Sequence, residues 1–186
     1  MREALKRAVA ENHGGYQRRR FVDVADLDRE RDELLSWLTA KREHVLAQLD
    51  GLSDEQLRRP VLPSGWSCIG LVRHLTLSDE RFWFEVVVAG RPLDFWPEGD
   101  GADWIVAADE SVADVVQAYR DAIAASNAII AARRLDEPPA DPGQAPGDFP
   151  DLRSVVVHVL VETATHAGHL DATRELLDGH QRLVLD

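Results

Sequence analysis

Apolar and polar positions alternate along this chain with the 3.6-residue repeat of amphipathic helices, and no useful length of strand-like alternation interrupts them. From Asp26, residues Leu34, Leu38, Val45 and Leu49, flanked by Leu27, Leu35 and Leu46, mark one apolar face as far as Gly51, with charged residues opposite. Ser53-Asp54-Glu55-Gln56 has the form of a capping box and predicts a short helical turn ending before Pro60. Pro60 and Pro63 hold an extended link, and Ser67 is placed to cap a second long helix. That helix carries Ile69, Leu71, Val72, Leu75, Phe82, Trp83 and Val86 to about Ala89 and has His74 in its middle. A third helix starts at Ser111, with Asp114 three residues on, and ends near Arg133-Arg134. Residues 136–150, with five prolines, cannot be helix or sheet. Asp151 caps a fourth helix that runs to about Asp178, where Gly179 stops it. Four long helices predict an all-α four-helix bundle over residues 26–179, preceded by an N-terminal extension (1–25) and followed by a loosely held tail (180–186). The connection 90–110 is long for a compact domain and holds Phe95, Trp96 and Trp104, as the lid or wall of a pocket would.

The fourth helix departs from simple amphipathicity. Its valine-rich start, Val155 to Val161, runs without a break into Glu162-Thr163-Ala164-Thr165-His166-Ala167-Gly168-His169. At about 100° per residue, His158, Glu162, His166 and His169 fall within roughly 80° of one another, on one stripe that the neighbouring valines and leucines suggest faces inward. A buried polar stripe must be paired or must coordinate something. Imidazole nitrogen and carboxylate oxygen are the ligands of zinc and related divalent ions, and residues four apart on one helix can grip one ion. Glu162 and His166 have that spacing, and His166 and His169 the three-residue alternative. A third ligand must come from another helix, for which His74 is the candidate, while His44 lies in a charged region of the first helix. His158 reads as packing and Cys68 as a small buried apolar residue. No Cys pair, His-Glu-x-x-His, phosphate-binding Gly loop or nucleophile elbow is present, and the pair of Glu-x-x-His motifs of a di-metal bundle is missing.

Composition narrows the partners. Net charge is 21 − 33 = −12, and the only basic cluster is Arg18-Arg19-Arg20, so nucleic acid is not expected as a partner. One cysteine excludes an intrachain disulfide and suits a reducing compartment. No run approaches the ~18 apolar residues of a membrane span, and the charged N-terminus does not resemble a signal peptide, so a cytoplasmic location is expected.

Two segments resemble the DinB-like superfamily, which includes the mycothiol-dependent maleylpyruvate isomerases. Gly65-Trp66-Ser67-Cys68-Ile69-Gly70-Leu71-Val72-Arg73-His74-Leu75 is similar to its Trp-Ser helix start with a metal-binding His some seven residues on. Glu162 through His169 is similar to its later motif of two ligands four positions apart, with Glu162 where many members carry His, as in the isomerase branch. His169 stands where many relatives have Gln. The resemblance spans about residues 27–178. It implies one divalent metal held by His74, Glu162 and His166, zinc by default with nickel, manganese or iron as alternatives. It also implies homodimers and a low-molecular-weight thiol cofactor such as mycothiol or bacillithiol.

The function expected from such a site is thiol S-transfer or isomerisation on a small electrophilic molecule, the thiolate attacking while Glu162 and His169 handle charge and protons. Trp83, Trp96 and Trp104 would line the cofactor or substrate cavity. Arg174, eight residues beyond His166, is a candidate for an anionic group, and Asp171 for orienting a ligand imidazole. The competing expectation is a non-catalytic bundle with a structural or vestigial metal, which a fourth protein ligand at His169 would favour.

Overall fold

The computed structural model describes residues 24–182, whose regular structure is entirely helical, with no strand. The N-terminal extension, apart from its last two residues, and residues 183–186 of the expected tail lie outside the described residues. Five α-helices are present among the described residues: α1 (Val24–Ala47), α2 (Asp54–Arg58), α3 (Cys68–His74), α4 (Val112–Ala131) and α5 (Leu152–Asp178). Short 3-10 turns occupy Ala102–Trp104 and Pro142–Gln144. None of the described helices is long and apolar enough to cross a membrane.

The helix ends follow the side chains expected to cap them. Ser53 and Gln56 close a reciprocal capping box on α2, Ser67 Oγ accepts from Gly70 N–H at 3.2 Å, and Ser111 Oγ accepts from Asp114 N–H at 3.0 Å. Asp151 caps α5 by accepting from Ser154 N–H at 2.9 Å. Gly179 ends α5 in the left-handed region (φ 79°), where a side chain would be strained.

The expected second long helix differs from a plain α-helix. It is α-helical only from Cys68 to His74, then continues as a π-helix over Leu75–Val88. The change coincides with Thr76, whose hydroxyl donates to Val72 C=O at 2.8 Å, while Leu75 N–H is shared between Leu71 and Val72. The result is five helices and turns rather than a clean four-helix bundle. The π-helix alters which side chains share a face. In an α-helix Trp83, nine positions after His74, would point about half a turn away from it. With i→i+5 bonding each turn takes between four and five residues, so His74, Ser78/Asp79 and Phe82/Trp83 recur on one side.

The elements pack through two apolar clusters. One contains Val45, Leu49, Leu71, Leu75, Tyr119 and Leu170; the other contains Leu38, Trp83, Phe84, Ile130, Leu152 and Val156. On α1, the π-helix and α4 a polar residue falls between members of the two clusters, and these three meet in one buried layer. Arg42 donates from Nε and an NH2 group to the two carboxylate oxygens of Glu80 at 2.7 and 2.6 Å, and from its other NH2 group to Asn127 at 2.9 Å. Arg42 and Glu80 are 1% and 0% exposed. Such a pair persists in a low-dielectric interior because its hydrogen bonds replace the water each charge gave up.

The irregular stretches are tied down. Ala140 and Asp141 N–H donate to Val88 and Val87 C=O at 3.1 and 3.0 Å, satisfying carbonyls at the end of the π-helix and bringing Pro146 and Phe149 alongside. The 90–110 connection is anchored where its 3-10 turn packs on α3. A Cβ at Gly70 would collide with the carbonyl oxygen of Trp104, so only glycine permits this approach.

Candidate functional site

His74, at the junction of α3 and the π-helix, has its ring held on two sides. Trp104 stacks on it with centroids 3.9 Å apart and planes at 17°. Asp103 Oδ2 lies 2.5 Å from His74 Nδ1, and both side chains are largely buried. A carboxylate can only accept, so Nδ1 is the donor of this bond and Nε2 is the ring nitrogen turned away from Asp103.

His166 of α5 lies edge-on to this ring at 5.2 Å between centroids, and 5.7 Å from Trp104. Burial, reinforced by His74 and His169, lowers its pKa to about 4, so its imidazole is neutral at physiological pH. Glu162 Oε2 is 4.0 Å from His166 Nε2, and His169 Nδ1 is 3.5 Å from His166 Nδ1. His169 also faces Trp66 at 6.2 Å. The structure thus brings His74, Glu162, His166 and His169 to one place. The side chains gather without converging: among the described residues no group of three or more His, Cys, Asp or Glu is placed to hold one metal ion. Glu162 keeps 42% of its side chain exposed, and its carboxylate stands off from the imidazoles.

The stripe on α5 also sits differently from expectation. The inward face of the helix is Val155, Val156, Val159, Thr163, Ala167 and Leu170, all buried. His158, Glu162 and His166 flank it half-buried, and His169 is exposed. The stripe therefore forms the wall of a cleft and not part of the core.

That cleft opens into a cavity of about 440 Å³. His74, Ser78, Asp79, Phe82 and Trp83 line it from α3 and the π-helix, Leu93 and Trp96 from the 90–110 connection, Pro146 from the proline-rich turn, and His158 and Glu162 from α5. His158 packs 4.4 Å from Trp83 and 5.2 Å from Phe149, and burial lowers its pKa against the opposing pull of Glu162. The connection expected as lid or wall thus contributes both Trp96, to the cavity, and Trp104, to the clamp on His74.

Two other expected participants lie elsewhere. Arg174 is buried against the end of α1, donating to Gln48 C=O at 2.8 Å and to Asp178 at 2.9 Å. Asp171 lies 2.7 Å from Nε2 of His44 and orients that ring, which is buried despite its charged sequence neighbours. Cys68 is buried, and desolvation pushes its thiol up to about 11, so it is no nucleophile at neutral pH.

The fold and the site together define an all-helical protein with histidines and carboxylates grouped at the mouth of an aromatic cavity. A family model described as Mycothiol-S-transferase matches residues 33–179, and the chain belongs to that family. No curated protein and no solved structure shows a significant match.

Proposed function

We propose that this protein is a divalent-metal-dependent S-transferase or isomerase that uses a low-molecular-weight thiol, mycothiol being the one the family points to, on an electrophilic small molecule. In this reading α1, α3 with its π-helical continuation, α4 and α5 act as a DinB-like four-helix bundle. The observation that carries it is the pairing of an oriented His74 on one helix with a neutral His166 and Glu162 on another, His74 and Glu162 also lining an aromatic cavity. Two imidazole nitrogens and one carboxylate oxygen fit zinc first, and nickel, manganese or iron as alternatives. The Asp103 carboxylate on Nδ1 of His74 is the outer contact that ligating histidines commonly have. A bound divalent ion would lower the pKa of a thiol at the open position, so that thiolate prevails near neutral pH.

The chain's own residues supply the rest. His74, Glu162 and His166, drawn closer than they stand here, would hold the ion, and Asp103 with Trp104 fixes the orientation of His74. His169, exposed beside His166, accepts the thiol proton. Phe82, Trp83 and Trp96 would hold the electrophile and exclude water while the sulfur–carbon bond forms and, with an aryl halide, the carbon–halogen bond breaks to release halide. The test is thioether formation from mycothiol and a small aryl halide. Chelator-treated protein should lose the activity and regain it with added divalent metal; equal rates with and without metal would remove the basis of this reading.

A second reading is favoured by the 3.5 Å approach of His169 to His166. If His169 were a fourth ligand, the site would be closed and structural, and the bundle non-catalytic.

A further inference from the structure

Asp79 is the residue of the cavity with no counterpart. It lines the cavity, is 2% exposed, and makes no hydrogen bond or ion pair with any described residue; its Oδ2 is a buried acceptor without a partner. Buried carboxyl groups are ordinarily paired, and an unpaired one costs stability, so a side chain kept in that state needs a reason. The adjacent Glu80 shows the contrast, with both oxygens engaged by Arg42.

The surroundings indicate what the missing partner is. No Lys or Arg lines the cavity, whereas Asp79 and Glu162 both do. Phe82, Trp83 and Trp96 supply its aromatic wall, with Phe82 set edge-on to both tryptophans at 5.7 and 6.0 Å. Aromatic faces and a carboxylate together attract organic cations. Burial, reinforced by Glu80 and Glu162, holds the Asp79 carboxyl well above the usual carboxylate range. An ammonium group within hydrogen-bond distance would give the buried carboxylate the partner that no described residue provides.

We propose that this cavity selects a substrate bearing an organic ammonium group, its carbon skeleton held among Phe82, Trp83 and Trp96 and its N–H donors on Asp79. This rests on the preceding reading only in treating the cavity as the substrate site. In that reading Glu162 is assigned to the metal, which leaves Asp79 as the carboxylate that matches the ligand's charge.

The test uses three probes of similar size: phenethylammonium, phenethyl alcohol and phenylacetate. Each is titrated into the full-length protein, metal-free and metal-loaded, by calorimetry and tryptophan fluorescence. The expected result is an affinity for the ammonium at least about tenfold above those of the other two. Asp79→Asn, which strands no partner among the described residues, should bring the three together. Trp96→Leu, at the cavity's exposed edge, should weaken the ammonium about fivefold while leaving the helical content unchanged. No binding at millimolar concentration, equal binding of the three probes, or a preference that survives Asp79→Asn would overturn the proposal. An ammonium preference in protein that takes up no metal would sustain it while removing the metal-dependent reading.

Discussion

Asp103 offers the sharpest test of how the proposed metal site is built. Its carboxylate lies 2.5 Å from Nδ1 of His74, with side-chain exposures of 10% and 16%. Water competes weakly there, so the contact should be worth the ~1.5–3 kcal/mol of a hydrogen bond to a charged group. Loss of an outer carboxylate typically lowers metal affinity 10–100-fold, or about 1.4–2.8 kcal/mol, and the two estimates coincide. Asp103→Asn keeps an oxygen that can accept from Nδ1 and removes only the charge, so it should fall near the tenfold end. Asp103→Ala leaves His74 held by Trp104 alone and should fall near the hundredfold end. Competition against a chromophoric chelator measures both, with far-UV circular dichroism as the control for folding. Wild-type affinity in both variants would refute the reasoning, and so would an Asn variant weaker than the Ala variant.

Three further predictions concern the frame around the site. Glu80→Gln strands the buried Arg42 charge and should cost about 3–5 kcal/mol, a fall in Tm of about 6–20 °C, whereas Arg42→Met with Glu80→Leu should recover most of it; a double variant no better than the single, in thermal melts, would show that the layer is not an isolated ion pair. Gly70→Ala drives a Cβ against the Trp104 backbone and should cost about 1–3 kcal/mol, with a changed tryptophan emission as Trp104 leaves His74; an unchanged spectrum and melt would refute the close approach. In metal-free protein, His166 stays neutral when folded down to about pH 4 but titrates near 6.5 when unfolded. The unfolded chain therefore binds more protons between those values, so the stability present above pH 6.5 is lost as pH falls toward 4, on the order of 3 kcal/mol. His166→Phe should flatten that part of the urea-denaturation pH profile, and a profile unchanged by the substitution would contradict the assignment.

Much of this was legible in the sequence, and the parts that were not have identifiable causes. Caps are local, so Ser53, Ser67, Ser111, Asp151 and Gly179 announced the helix ends correctly. The grouping of Glu162, His166 and His169 followed from helical spacing alone, and His74 from its place in an apolar helix. The π-helix was hidden because the apolar residues Leu75, Phe82, Trp83 and Val86 suit a repeat of four to five as readily as 3.6. Asp103 was hidden because its partner is 29 positions away, across a loop whose path depends on Gly70. Arg42 does lie on the apolar stripe between Leu38 and Val45, which was a readable sign of a buried charge. Nothing local marked Glu80 as its partner. Arg174 was placed by helical phase relative to His166 and Asp171 as an orienting carboxylate, but α1 packs along that side of α5, where His44 engages Asp171 and Gln48, just past the end of α1, accepts from Arg174.

Metal content per chain after reconstitution, in the wild type and in His74→Ala, Glu162→Ala, His166→Ala and His169→Ala, tests the central claim most directly. The account predicts about one equivalent of divalent ion in the wild type and in the His169 variant, and little in the other three. Less than about a tenth of an equivalent in the wild type, or equal loss in the His169 variant, would contradict an open site held by His74, Glu162 and His166.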